Sequence, residues 1–488
     1  MKKAVVIGAG VAGLASANLL AKQGYEVTVL EKNSSTGGRG RQWEKNGYKF
    51  DMGPSWYMMP EIFDKFLLNF NKKVSDYYEL LRLPVHYKVF FDQNRSFNIV
   101  AELHQNIKTF EKIETGAGQK LNQYLQESKQ IYDRAMEELV YFDYDNLLEL
   151  AKPELLPYLY QAKFFQNLHQ YVARFFKNPD LQKIIEFTTV FLGGSPYITP
   201  AFYRLISHTD FNLGIWYPQG GMVKIFEMLT TLAHEQGVAI KLNQEVVKIQ
   251  VTNGKADLVQ TKNNTYPADI VVSGADYWWT ETRLLDQQWR QYKNSYWQTA
   301  ITSPSAFIIY LGTKNRVKNF DHHNLYFNDS WEKGFEAVYT KQQWPEEPSY
   351  YVHVPSISDR SLCPKNGDAL MILVPVAAGL KDDTTTRTKF SQQIIKHLEQ
   401  LTDNDLHSNI AVKRIFAHQD FITEYHSLKG CAFGLAHTLK QTALFRPKNR
   451  SKKVKNLFYA GQNTNPGVGV PTSIISAMIV DKMVKKLF

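Results

Sequence analysis

The sequence predicts an α/β protein built on a Rossmann-like dinucleotide-binding core, and three observations predict it. Glycines spaced GxGxxG at Gly8, Gly10 and Gly13 follow an apolar strand. Glu31 closes the next apolar strand, and a strand, a glycine-rich loop and a helix recur between Asn456 and Phe488. Between those ends lie a largely helical segment and a mixed α+β insertion, both expected to form a substrate domain.

Lys3 to Gly8 reads as the first strand. Gly8 permits the abrupt turn into a helix, Gly10 lets the backbone approach a pyrophosphate, and Gly13 lets helix and strand pack. With Ala9, Val11 and Ala12 these residues make the expected cofactor-binding turn, the pyrophosphate sitting where unpaired helix N–H groups and the helix dipole favour negative charge. Tyr25 to Leu30 is the next strand, and Glu31 at its end is placed to accept from an adenosine ribose, favouring a free 2′-hydroxyl. Lys2, Lys3, the apolar run and the small residues near Ala15 to Ala17 also imitate a secretory signal peptide. Three glycines in register with strand, helix, second strand and acid argue against that reading.

Lys32 to Arg41 (KNSSTGGRGR) narrows the ligand. Gly37 and Gly38 bring the backbone close to a phosphate or flavin edge, and Arg39 supplies fixed charge; a plain turn would explain the glycines alone, but not their position after the acid. A Gly-Gly-Arg there resembles the flavoproteins with two dinucleotide-binding domains, the group of amine oxidases, protoporphyrinogen oxidase and carotenoid desaturases. That resemblance implies FAD, with Lys32, Gly38 and Arg39 among its contacts. Tyr48 to Met52 is strand-like and Gly53-Pro54 turns it, so Gly53, Pro54 and Ser55 are expected beside the cofactor. Trp56, Tyr57 and Met58 are expected on its substrate side, although such soft and aromatic clusters are usually core.

At 488 residues the chain exceeds one usual core. The expected segments are 1–100, 216–276 and 426–488 for the FAD-binding domain, 101–215 for a largely helical substrate and membrane-associating part, and 277–425 for the substrate domain. Only Cys363 and Cys431 occur, without metal-ligand spacing, so neither a disulfide nor a metal is predicted. No uninterrupted run of 18 apolar residues is present. Net charge is +10 and 13% of residues are aromatic, which suits an anionic membrane surface better than nucleic acid, because no reader fold accompanies the charge.

Tyr158 to Lys177 is expected to be one helix with an aromatic face of Phe164, Phe165, Leu168, Tyr171, Val172, Phe175 and Phe176, ended by Asn178-Pro179-Asp180. That face is either core or an interfacial surface dipping into lipid. Trp216 and Tyr217, expected to line a substrate channel, lead through Gly220-Gly221-Met222 into a helix from Val223 to Glu235. Val238 to Leu242, Val246 to Thr252, Ala256 to Thr261 and Ile270 to Ser273 read as strands, with a turn at Asn253-Gly254. Val246 is expected to meet adenine through its backbone. Ala306 to Leu311 and Leu370 to Val374 are strands of the insertion. At the end, Gly461, Gly469, Val470 and Ile474 join the cofactor set, and a helix opened by Pro471, Thr472 and Ser473 aims N–H groups at the ligand.

Taken in chain order, Gly8/Gly10/Gly13, Glu31-Lys32, Gly38-Arg39, Phe50 to Pro54, Gly220 to Met222 and Asn465 to Pro471 resemble the bacterial phytoene desaturases over essentially the whole chain. Ser55 to Pro60, Val190 to Gly193 and Ser273 to Tyr277 are especially similar to the flavobacterial type. The resemblance implies bound FAD, a linear carotenoid substrate and peripheral attachment on the cytoplasmic side of a membrane. The expected reaction is stepwise dehydrogenation of 15-cis-phytoene toward all-trans-lycopene, by hydride transfer to the flavin and proton loss. Oxygen or a quinone is the expected acceptor, since no second GxGxxG appears. Diapophytoene, a 1-hydroxycarotenoid, carotenoid isomerisation, amine oxidation and a non-enzymatic prenyl-binding escort are the rival readings. Two departures stand out: Thr472 replaces a glycine usual in the family, and Asp145 to Leu150 lacks the basic residue proposed as catalytic in some members. No catalytic acid or base is therefore assigned.

Overall fold

A computed structural model describes residues 1–92, 95–142, 144 and 162–488. Its organising element is a five-stranded parallel sheet in the order Leu457–Tyr459, Ile270–Ser273, Lys3–Ile7, Glu26–Leu30, Ala239–Lys241. Both faces are covered, which is why its strands read as apolar runs rather than alternating ones. The helix Val11–Lys22 is buried from Val11 to Leu20 because the helices Val223–Glu235 and Val470–Leu487 pack on it. The lysine-flanked apolar stretch is thus the central strand and first helix of the fold, as the glycine spacing requires.

Val246–Thr252, Lys255–Thr261 and Thr265–Pro267 form a separate antiparallel sheet. Its first turn has positive φ at both Asn253 and Gly254, the conformation that makes Asn-Gly a hairpin signal.

A third, seven-stranded sheet runs Ile410–Phe416, Ser305–Thr313, Asp368–Val376, Tyr350–His353, His323–Phe327, Val85–Phe91, Arg95–Val100. Two of these strands, Val85–Phe91 and Arg95–Val100, come from the segment 1–100 expected to belong wholly to the FAD-binding domain. Side-chain alternation divides the central strand Ser305–Thr313 between two cores. Phe307, Ile309 and Leu311 pack with Phe390, Ile394 and Leu398 of the helix Thr384–Thr402, while Ala306, Ile308 and Tyr310 face the aromatic core on the other side.

The helical region differs from the expectation. Residues 158–161 lie outside the described set, and the rest is not one helix: Leu168–Val172 is a short helix capped by Asn167, and Asn178 caps a new one, Pro179–Glu186. Asn-Pro-Asp therefore begins a helix, the Asn178 carboxamide accepting from Asp180 N–H while Pro179 takes the first-turn position that needs no donor. Leu168, Tyr171, Val172, Phe175 and Phe176 are core, packed with Phe110, Leu121 and Tyr124; of the proposed lipid-facing set only Phe165 is open to solvent, at 93%. Among the described residues no helix is long and apolar enough to cross a membrane.

Candidate functional site

One cavity runs from the carboxyl ends of the parallel strands to the face of the seven-stranded sheet. Ligands of open α/β sheets bind outside those strand ends. Its first half is built on the GxGxxG turn. Gly8 has φ +91°, and a Cβ on Gly13 would stand 1.9 Å from Gly8 O, so strand and helix approach as closely as expected. Nothing within 4 Å opposes the missing Cβ of Gly10, whose backbone borders the cavity with Gly8, Val11 and Ala12. Gly38 abuts Gly10, and Gly53 abuts the Arg39 carbonyl, where a Cβ would come to 2.4 Å. The three motifs thus form one wall.

Glu31 lines this half with its carboxylate held by backbone: Ala9 N–H donates to Oε2 (2.7 Å) and Asn33 N–H to Oε1 (2.9 Å). Ala9 and Gly13 are thereby displaced from the predicted ligand contacts. Neither lines the cavity; Ala9 orients Glu31, and Gly13 permits the packing. Lys32 lines the cavity and donates to Thr423 O, and burial lowers its pKa. Arg39 lies over the Tyr425 ring, 5.0 Å from its centroid.

The second segment adds Val246, which lines the cavity, and a group with no sequence signature. Trp279 stacks on His426 at 3.7 Å, and His426 Nε2 is 2.9 Å from Glu245 Oε1. All three line the cavity. They are invisible to motif reading because they come from distant stretches of chain. Gly461, Gly469 and Val470 lie on the wall, as do Pro471, Thr472 and Ser473 at the start of the last helix. Thr472 and Ser473 hydroxyls donate to Gly469 O (2.9 and 2.7 Å), so the departure at Thr472 ties down the loop. Ile474 does not join the wall; one residue further round the helix, it is fully buried in the core.

The other half is aromatic. Trp56 and Met58 line it together with Phe187, Phe191, Phe335 and Tyr350, and Gly53, Pro54 and Ser55 lie on the cavity wall. Tyr57, Trp216 and Tyr217 do not. On the extended segment Tyr57 points opposite to its neighbours, stacks on Phe63 at 4.5 Å and shares a hydrogen bond with Tyr78 (2.9 Å). Trp216 bridges to Tyr57 and donates its indole N–H to Leu213 O, and Tyr217 packs edge-on to His322.

Charge is confined to the first half. The charged-type residues lining that half are Glu31, Lys32, Arg39, Glu245, Asp276, Glu424 and the imidazole His426, whereas the His437 imidazole lines the cavity edge-on to Tyr203. Burial raises Asp276 to about 6 and lowers His437 to about 3, leaving that imidazole neutral. Among the described lining residues, the aromatic half has no carboxylate to meet an ammonium. Asp145 to Leu150 lies outside the described residues.

Asp51 joins two motifs that are far apart in sequence. Met222 N–H donates to its Oδ2 (2.9 Å) and Val223 N–H to its Oδ1 (3.3 Å), capping the helix Val223–Glu235. Burial nonetheless pushes this carboxyl up to about 6.

The first half fits a flavin dinucleotide on its own polar atoms. Arg39 Nε, Gln462 Nε2 and Asn465 Nδ2 are buried without a hydrogen-bond partner in residues that line it. Buried donors of this kind are costly unless a ligand accepts from them.

The profile of the family "Flavin containing amine oxidoreductase" matches residues 11–480. The chain is 39% identical to a carotenoid 3,4-desaturase of Haloarcula japonica, over 96% of this chain and 95% of that protein. It is 33% identical to a zeta-carotene-forming phytoene desaturase of Myxococcus xanthus, over 98% and 93%. An oxidoreductase structure from Methanosarcina mazei superposes with a TM-score of 0.66 at 18% identity, covering 98% of this chain and 100% of that one, a likeness of fold. The chain therefore belongs to the flavin-containing amine oxidoreductases, in their carotenoid desaturase branch, as an FAD-dependent oxidoreductase acting on CH–CH groups.

Proposed function

We propose that this chain dehydrogenates 15-cis-phytoene stepwise toward all-trans-lycopene. The observation that carries the reading is the division of the cavity: a polar half suited to FAD opens into an aromatic half without charge. A hydrocarbon offers no ionisable handle, so its binding energy comes from apolar burial, roughly 25 cal/mol per Å². When bound, FAD supplies the acceptor for a hydride from an allylic C–H. Trp56, Met58, Phe187 and Phe191 align the polyene and exclude water, and the Glu31 carboxylate and Arg39 guanidinium anchor the dinucleotide. A second reading, 3,4-desaturation of a more oxidised carotenoid, is favoured by the 39% identity to the archaeal enzyme.

The reading extends to a membrane surface and to oxygen or a quinone as electron acceptor. Two exposed phenylalanines support the first. Phe165 follows Phe164, a cavity residue stacked on Phe202; Phe445, 64% exposed, lies two residues beyond Ala443 on the same wall, and Tyr203 bonds Thr442 there. Both stand beside one end of the cavity, where an apolar substrate would leave lipid.

The decisive experiment supplies the purified flavoprotein, in separate vesicle preparations, with phytoene, zeta-carotene or a 1-hydroxycarotenoid, and follows pigments by chromatography under air or with a quinone. Products with longer chromophores from phytoene are expected. Unchanged phytoene with conversion of the hydroxylated pigment would transfer the assignment to the second reading.

A further inference from the structure

Behind the aromatic wall the seven-stranded sheet holds a cluster of imidazoles that the cavity does not use. His323 and His353 are register partners on the antiparallel strands His323–Phe327 and Tyr350–His353, and His322 adjoins the first of them. All three are buried, and each offers one ring nitrogen so that the three nitrogens lie within 4.8 Å of one another.

Two of the rings, His322 and His323, are oriented from behind. His322 Nδ1 is 2.9 Å from Ser358 Oγ, and His323 Nδ1 is 2.7 Å from Tyr351 OH. This leaves His322 Nε2 facing His353 Nε2 at 3.0 Å, and His323 Nε2 buried with no partner. Metal-ligating histidines donate their rear N–H to an acceptor, and the Ser358 and Tyr351 hydroxyl oxygens are placed to accept from His322 and His323 in this way. Two nitrogens bound at 2.0–2.1 Å to a tetrahedral ion stand about 3.3 Å apart, so the His322–His353 pair needs only a few tenths of an ångström, and binding draws the third ring inward.

We propose that His322, His323 and His353 form a binding site for one divalent transition-metal ion of the zinc class. The donor set is all imidazole, which suits zinc and its neighbours rather than magnesium or calcium. The ion would tie the two strands together and brace Trp56, whose indole stacks on the His323 ring at 4.2 Å with an interplanar angle of 8° while also lining the cavity.

The test uses the untagged full chain with its flavin bound, stripped with a chelator and then given Zn2+ or Co2+. One retained ion per chain by mass spectrometry is expected, with visible ligand-field absorption for Co2+ and imidazole scattering from three rings in X-ray absorption. His353→Gln should weaken retention on the order of a hundredfold, and Tyr351→Phe by roughly tenfold to a hundredfold through loss of ring orientation, both with flavin absorbance kept. Substoichiometric retention by the wild type in excess Zn2+ would overturn the site, as would unchanged Co2+ absorption in the double variant His323→Gln/His353→Gln. Should that variant not fold, the wild-type X-ray absorption spectrum decides: scattering from oxygen ligands alone rejects the proposal.

Discussion

The two halves of the cavity are built by different means. The dinucleotide half rests on backbone: glycines whose missing Cβ atoms let strand, helix and loop touch, and amide groups that hold Glu31. The aromatic half rests on side chains drawn from the extended segment around Trp56, the helical region and the seven-stranded sheet. Backbone constraints act through single contacts that have no substitute, whereas an apolar wall spreads its energy over many rings. Substitutions should therefore have sharp effects in the first half and graded ones in the second.

The largest effect is expected at Gly13. In Gly13→Ala the new methyl meets Gly8 O at 1.9 Å, a backbone atom that cannot rotate away, so the variant should lose roughly 3 kcal/mol or more and its flavin absorbance. A yellow protein that melts like the wild type would break the contrast between the halves. Next is Asp51, whose carboxyl is raised in the fold to about 6 from 3.8. A raised acid contributes stability that is full below its unfolded pKa and lost as pH rises through the folded one. Between about pH 4 and 7 the wild type should lose roughly 2–3 kcal/mol relative to Asp51→Asn, and the difference between the two denaturation profiles isolates this group from the buried histidines, which act in the opposite sense. A flat difference would remove Asp51 as a buried titrating cap.

Glu31→Gln keeps one acceptor for the backbone and removes the charge. Flavin affinity is expected to fall roughly tenfold to a hundredfold, measured as cofactor retained through gel filtration. On the aromatic side, Phe191→Ala should leave flavin binding untouched while raising KM for the polyene by about tenfold, the cost of one ring's apolar contact. Flavin loss in this variant would show that the halves are not separable. The smallest effect belongs to Phe165→Ser/Phe445→Ser: vesicle binding in a flotation assay should weaken several-fold, with the melting temperature unchanged because both rings are solvent-exposed.

The same contrast explains how much the sequence revealed. The strand Lys3–Ile7 with its glycine turn and the helices Val223–Glu235 and Val470–Leu487 were legible to within a residue or two, because glycine spacing, proline position and apolar runs act on their immediate neighbours. The closing loop was legible for the same reason, and so were the strands flanking Asn253-Gly254. The aromatic residues were legible as a class but not by position. Whether Trp56 or Tyr57 faces the cavity depends on which way an extended segment is turned, and the ring-rich stretch around Phe176 suits a buried face as well as a lipid-facing one.

By itself the sequence determined the dinucleotide turn, the acid at Glu31 and the closing helix, since each is written in backbone preferences spanning only a few residues. Only the tertiary structure decided that Asp51 caps a helix some 170 residues away, that Trp279, His426 and Glu245 make one group, and that three histidines meet behind Trp56. Those contacts are set by how three sheets pack against one another, and packing couples residues through space with no trace in their spacing along the chain.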